Sequence, residues 1–142
     1  MFLSEGLREV LESDEGDEEW ETRVGELQAD LEVFVTDETP IDPKYLFLLA
    51  PARDAVWEIR SVRVDPSIRV LGSFAKKDVF VATNHALRAD LGGWESQAWR
   101  TAKRLSGAIW RKIFGTYHPR REVKISALVT GAHKGEYFRE RA

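Results

Sequence analysis

Apolar residues recur along this chain with two different periods, and the change from one to the other divides it. Leu3, Leu7, Val10 and Leu11 lie three and four apart, with Ser4 placed as an N-cap, and predict a short helix ending near Ser13. The run DEGDEE interrupts or restarts that pattern. Trp20, Val24, Leu27 and Leu31 then follow at i, i+4, i+7 and i+11, the stripe of a second amphipathic helix with Glu and Asp on its other face. Carboxylates at its N-terminal end suit the helix dipole. VFVTDETPIDP closes the helical region, because neither Pro40 nor Pro43 can continue a helix.

From Tyr45 the period becomes two. YLFLLA is apolar on both faces and reads as a buried strand. In AVWEIRSVRV, Trp57 and Ile59 alternate with Glu58 and Arg60, which places Arg60 on the face opposite Trp57. Asp65 and Pro66 mark the next turn. SIRVLGSF and DVFVATN are β-rich segments joined by the short turn AKKD, so a compact antiparallel sheet is expected. HALRADL has room for two helical turns before Gly92 and Gly93 stop it.

Trp94 to Gly115 is the longest helical candidate. Trp99, Ala102, Leu105 or Ser106, Ile109 and Ile113 form one stripe, with Trp110 and Phe114 beside it. This helix should cover the sheet, with Trp57 and Trp99 in the core. VKISALVTG reads as a last strand or a loosely packed segment, and the remainder as a frayed tail. The expected fold is α+β: an antiparallel sheet of about four strands packed by a long helix of the C-terminal half, preceded by two acidic amphipathic helices.

Composition sharpens the division. A length of 142 residues and 43% hydrophobic content with five tryptophans fit one domain. Residues 1–42 hold 15 acids and two bases, a net −13, whereas residues 43–142 hold 19 bases and nine acids, a net +10. An acidic helical arm thus precedes a basic α+β body. With no cysteine, disulfides, thiolate metal sites and a cysteine nucleophile are excluded. The first residues lack a basic n-region and are not a signal peptide. The most apolar run, YLFLLAPA, is far too short for a transmembrane helix. A soluble, cytoplasmic protein with no membrane association is expected.

No motif fixes a reaction. His85, His118 and His133 have no partner at a metal-ligand spacing, and G-x-S-x-G, P-loop and dinucleotide-binding patterns are missing. No metal or cofactor is expected. What remains is a basic constellation without carboxylates, of a kind that can hold a phosphodiester and stabilise its developing charge. Arg69, His85 and Arg88 are the catalytic candidates. Arg60, Lys76, Lys77 and Arg104 are the polyanion contacts, with Arg69 near Arg60 across the ladder and Asn84, His85 and Arg88 just past the strand end. The same residues also fit an ordinary solvated surface, with Lys76 and Lys77 guarding a sheet edge.

The order of VWEIRS, SIRVLGSF, a basic turn and DVFVATN, over about 40 residues, resembles the central strands of RelE-like and HigB-like toxins. The resemblance implies a ribosome-dependent mRNA endonuclease that needs no metal, with Arg60 and Arg69 at the matching positions and Arg69 contacting phosphate. The expected lysine-rich tail of the apolar strand reads ATNHALR here, and Tyr137 is the available C-terminal tyrosine. Two functions therefore stand open. One is a protein-interaction or regulatory module that docks a partner or a second copy through its acidic helices or a Trp face. The other is an RNA-binding, toxin-like nuclease whose basic sheet the acidic arm masks.

Overall fold

Alternation of apolar and polar residues marks a strand with one face toward a core, and in this sheet residues of both faces are buried. The computed structural model describes residues 2–12, 46–60 and 67–129. Its strands are β1 (Phe2–Leu3), β2 (Leu46–Leu48), β3 (Trp57–Arg60), β4 (Ile68–Lys76) and β5 (Val79–Leu87). Its helices are α1 (Glu5–Glu12), α2 (Arg88–Leu91) and α3 (Gln97–Phe114), with 3-10 turns at Ala52–Asp54 and Ile125–Ala127. The fold is α+β. β2 to β5 form the antiparallel sheet that the sequence predicts, in the order β5-β4-β3-β2, and β1 adds a parallel strand on the outer edge of β5. The second amphipathic helix, Trp20 to Leu31, and the Asp65–Pro66 turn lie outside the described residues. No helix among the described residues is long and apolar enough to cross a membrane.

One face of the sheet carries Leu46, Leu48, Trp57, Ile59, Ile68, Val70, Phe74, Phe80 and Ala82, all buried. Gly72 lies within it, paired with Trp57 and Ala82. Absence of a side chain there lets the Phe80 ring lie over the backbone: a Cβ on Gly72 would come within 2.8 Å of two Phe80 ring carbons. Phe74 meets both Trp57 and Phe80 edge-on, at centroid distances of 5.7 and 5.1 Å. The opposite face carries Glu58, Leu71, Ser73 and Val81 and is covered by α3, which buries Trp99, Ala102, Ser106 and Trp110.

Four elements differ from the sequence reading. β5 runs on to Leu87, so Asn84 and His85 are strand residues and α2 is a single turn. The extra length is stabilised by β4, whose Arg69 and Ile68 pair with Ala86 and Leu87. Lys76 ends β4 and pairs with Val79, so only Lys77 and Asp78 form the turn. Asp78 takes the left-handed conformation there, φ 65°, which Asp tolerates better than most residues. Within VKISALVTG, Ile125–Ala127 form a 3-10 turn, and Ile125 and Leu128 are buried. Finally, α3 turns Ser106 inward and leaves Leu105 and Ile113 each 48% exposed.

Candidate functional site: an arginine–glutamate cluster and the outer surface of α3

Period-two spacing puts Glu58 and Arg60 on the same face of β3, and the β3–β4 register sets Arg69 directly opposite Arg60. The Glu58 carboxylate is fully buried. It accepts from Arg60 Nε at 2.7 Å and lies 3.8 Å from Arg69 Nε, and the two arginine side chains are only 15% and 11% exposed. Arg69 also donates to Ser67 Oγ. The Arg60 guanidinium lies 3.8 Å from the centre of the Phe47 ring, a cation–π contact set by the pairing of Phe47 with Glu58.

Trp94 forms the next layer. It stacks on Trp99 at 4.6 Å and stands 6.0 Å from Arg60 and 5.8 Å from Arg88. Arg88 is held by its own donation to the Gly92 carbonyl at 2.8 Å. The constellation expected to lack carboxylates therefore has one at its centre. Nothing in the alternation distinguished Glu58 from a solvated glutamate, because only cover on both faces of the sheet makes that position dry.

The other candidates lie elsewhere. His85 pairs with Val70 and so shares the face of Ile59, away from Arg60 and Arg69. Lys76 and Lys77 are exposed at the hairpin turn, about 24 Å along β4 from Arg69 at 3.4 Å per residue. Arg104 is exposed on α3. The structure thus brings together Arg60 and Arg69, sets Arg88 on the same tryptophan, and separates His85, Lys76, Lys77 and Arg104 from them.

Burial lowers the His85 pKa below its ordinary value near 6.5, because a desolvated imidazole resists charging. An unfolded chain takes up the proton as pH falls through that ordinary value, whereas the folded chain does so only at lower pH. The contribution to stability is therefore complete above about pH 6.5 and is lost as pH drops toward the folded value. Urea midpoints should fall between pH 7 and pH 5.5, and His85→Gln should flatten that dependence. An unchanged slope in the variant would remove His85 as its source.

A polar knot sets how α3 rests on the sheet. The β4–β5 register slips between Leu71 and Gly72, and at this bulge Thr83 Oγ1 lies 2.7 Å from Ser106 Oγ, 2.7 Å from Asn84 Oδ1 and 3.0 Å from the Leu71 carbonyl. Asn84 Nδ2 donates to the Ala102 carbonyl at 3.1 Å, and Ser4 Oγ donates to the Thr83 carbonyl at 2.6 Å. Buried hydroxyls must be satisfied, and these partners fix Ser106 inward. Ser96 caps the start of the helix by accepting from Trp99 N at 3.2 Å, and Gly115, φ 62°, ends it. At the far end Trp110 Nε1 donates to the Tyr117 carbonyl at 2.7 Å, and Tyr117 Oη donates to the Ala75 carbonyl at 2.8 Å.

With that rotation fixed, Leu105, Ile109 and Ile113 recur every four residues along one flank of α3, outside the core. Tyr117 and Val123, 53% and 47% exposed, add further apolar surface beyond its end. The same helix carries Arg100, Lys103, Arg104, Arg111 and Lys112 and no acidic residue. Lys103 Nζ reaches the Ala50 carbonyl at 2.7 Å, and the other four cations are exposed. The pattern is a ridge of aliphatic side chains beside a uniformly positive one. Compared with family models, with curated proteins and with solved structures, the chain finds no match in any of the three.

Proposed function

We propose that this protein is an interaction module that docks an acidic amphipathic segment of another protein on the outer surface of α3. The observation that carries this reading is the α3 flank of exposed Leu105 and Ile113, with half-buried Ile109 between them, beside cations with no interspersed acid. Apolar side chains anchored in rows at i, i+4 and i+8 are the means by which one helix receives another, and the surrounding positive charge selects a negative partner and speeds its encounter.

Support for the other reading, a metal-independent nuclease acting on RNA, comes from the Arg60–Arg69 pair. Glu58 neutralises one charge of that pair, and both guanidinium groups are largely buried. The docking reading therefore stands first.

A direct test uses the full chain and two fluorescein-labelled peptides of identical composition. One carries leucines at i, i+4 and i+7 among glutamates, and the other is scrambled. The patterned peptide should bind with an affinity that falls with salt. Leu105→Asp combined with Ile113→Asp should weaken binding by about tenfold or more without unfolding a protein in which both positions are half-exposed. Equal binding of the scrambled peptide, or an unaffected double variant, would remove the aliphatic ridge as the site. A short single-stranded RNA that binds more tightly than the peptide, and is released by Arg69→Ala, would favour the nuclease reading instead.

A further inference from the structure

Cations gather where β4 turns into β5. β3 pairs with β4 only as far as Gly72, so β4 runs on beyond it to Lys76, and the chain that leaves α3 wraps this extension. Tyr117 Oη donates to the Ala75 carbonyl and Arg120 N to the Phe74 carbonyl, each at 2.8 Å. The segment then returns to the turn, where Asp78 N donates to the Leu128 carbonyl at 2.8 Å. Residues 74–79 and 111–124 carry seven lysines and arginines against two acids, Asp78 and Glu122. Glu122 is taken up by Arg120, whose Nε donates to its carboxylate oxygens at 2.8 and 2.9 Å. Lys76, Lys77, Arg111, Lys112, Arg121 and Lys124 are all exposed, and among the described residues none of them forms an ion pair.

The aliphatic ridge of α3 leads to this end of the sheet. Trp99 and Ala102 cluster with Leu71, and Trp110 with Ala75 and Val81, so the helix runs along the sheet toward the β4–β5 turn. Leu105, Ile109 and Ile113 are followed at the same interval by Tyr117, whose ring is exposed. A helix lying on the ridge therefore meets the cations with one of its ends. Its own dipole decides which. Carboxylates stabilise the N-terminus of a helix and are unfavourable at its C-terminus, where the partial charge is negative, so an N-terminus is the end that brings acids to the turn without weakening the helix. An antiparallel helix presents that end. Its first N–H groups then lie toward the last carbonyls of α3, which are of opposite partial charge.

We propose that the acidic segment received by α3 lies antiparallel to it and opens with a run of carboxylates held by Lys76, Lys77, Arg121 and Lys124. This placement rests on docking at α3 and adds a direction to it. The ridge gives affinity for any acidic amphipathic helix, while the turn selects those whose acids come first. A partner of the same composition with its acids last loses the four cations, because its carboxylates then lie at the other end of α3.

Two fluorescein-labelled peptides of identical composition test the direction on the full chain. Both carry leucines at i, i+4 and i+7, but one begins with a run of glutamates and the other ends with it. The leading-run peptide should bind about tenfold more tightly, and the difference should shrink as salt rises. The combined variant Lys76→Ser, Lys77→Ser, Arg121→Ser and Lys124→Ser changes only exposed positions. It should abolish the preference while leaving the affinity for the trailing-run peptide within about threefold. A leading run also strengthens the free peptide's helix, so a preference that survives the four serines belongs to the peptide and overturns the proposal. Equal binding of the two peptides, or tighter binding of the trailing run, overturns the direction and leaves docking on α3 standing. Binding of neither overturns both. A short single-stranded RNA that binds more tightly than the leading-run peptide, and is lost with the four serines, assigns these cations to phosphates and overturns the proposal as well.

Discussion

Glu58→Gln should lower the free energy of unfolding by about 3–5 kcal/mol, the range measured when one partner of a buried ion pair is removed. The carboxylate is fully buried between Arg60 and Arg69. Glutamine keeps the shape of the side chain and removes the charge, so the two guanidinium groups are left facing each other across β3 and β4 with little solvent to screen them. The Phe47 ring under Arg60 offsets only a small part of that, since a cation–π contact is worth about 0.5–2 kcal/mol. Urea denaturation of Glu58→Gln, Arg60→Gln and the double variant is the measurement. The double variant should be more stable than the sum of the single losses implies, because the second change removes a charge that the first left uncompensated. Additive losses would mean that the ion pair contributes nothing beyond packing.

Gly72→Val should be nearly as damaging, at or above the upper end of the roughly 1–3 kcal/mol typical of overpacking. A Cβ at this position would lie 2.3 Å from the Val81 carbonyl oxygen and 2.6 Å from Phe80 Cζ. The ring can move, but the carbonyl belongs to the strand paired with Gly72 and moves only if the ladder does. Gly72→Ala should therefore already cost most of the effect, and Phe80→Leu should relieve only the part due to the ring. Full rescue of Gly72→Ala by Phe80→Leu would show that the backbone contact yields freely.

The β3–β4–β5 meander was legible because its residues alternate with period two and only Lys77 and Asp78 separate β4 from β5. The neighbourhood of Arg60 and Arg69 followed from the same alternation. What was not legible depended on cover and on register slips, neither of which a single chain displays. Glu58 in WEIR reads like any outward glutamate until α3 is laid over it. Leu105 and Ser106 are both compatible with the stripe of α3, and the more apolar residue would be placed inside. Thr83 reverses that order, because its hydroxyl and Ser106 satisfy each other at the bulge. The same bulge, which no residue pattern announces, carries His85 into β5 and onto the face opposite the arginines.

Joining β1 to β5 bears on the order in which the fold is assembled. Ser4 and Thr83, which close this edge through a buried hydrogen bond, are 79 residues apart, whereas β4 and β5 are joined by the two residues Lys77 and Asp78. The hairpin closes a loop of minimal entropy, while the edge needs a long one. Until Phe2 and Leu3 return to it, the outer side of β5 presents unpaired amides and carbonyls, the kind of template on which chains add to one another. Phe2 and Leu3 thus close the sheet through its longest loop, and they cover Val81 and Ala82 on an edge to which another strand could otherwise add.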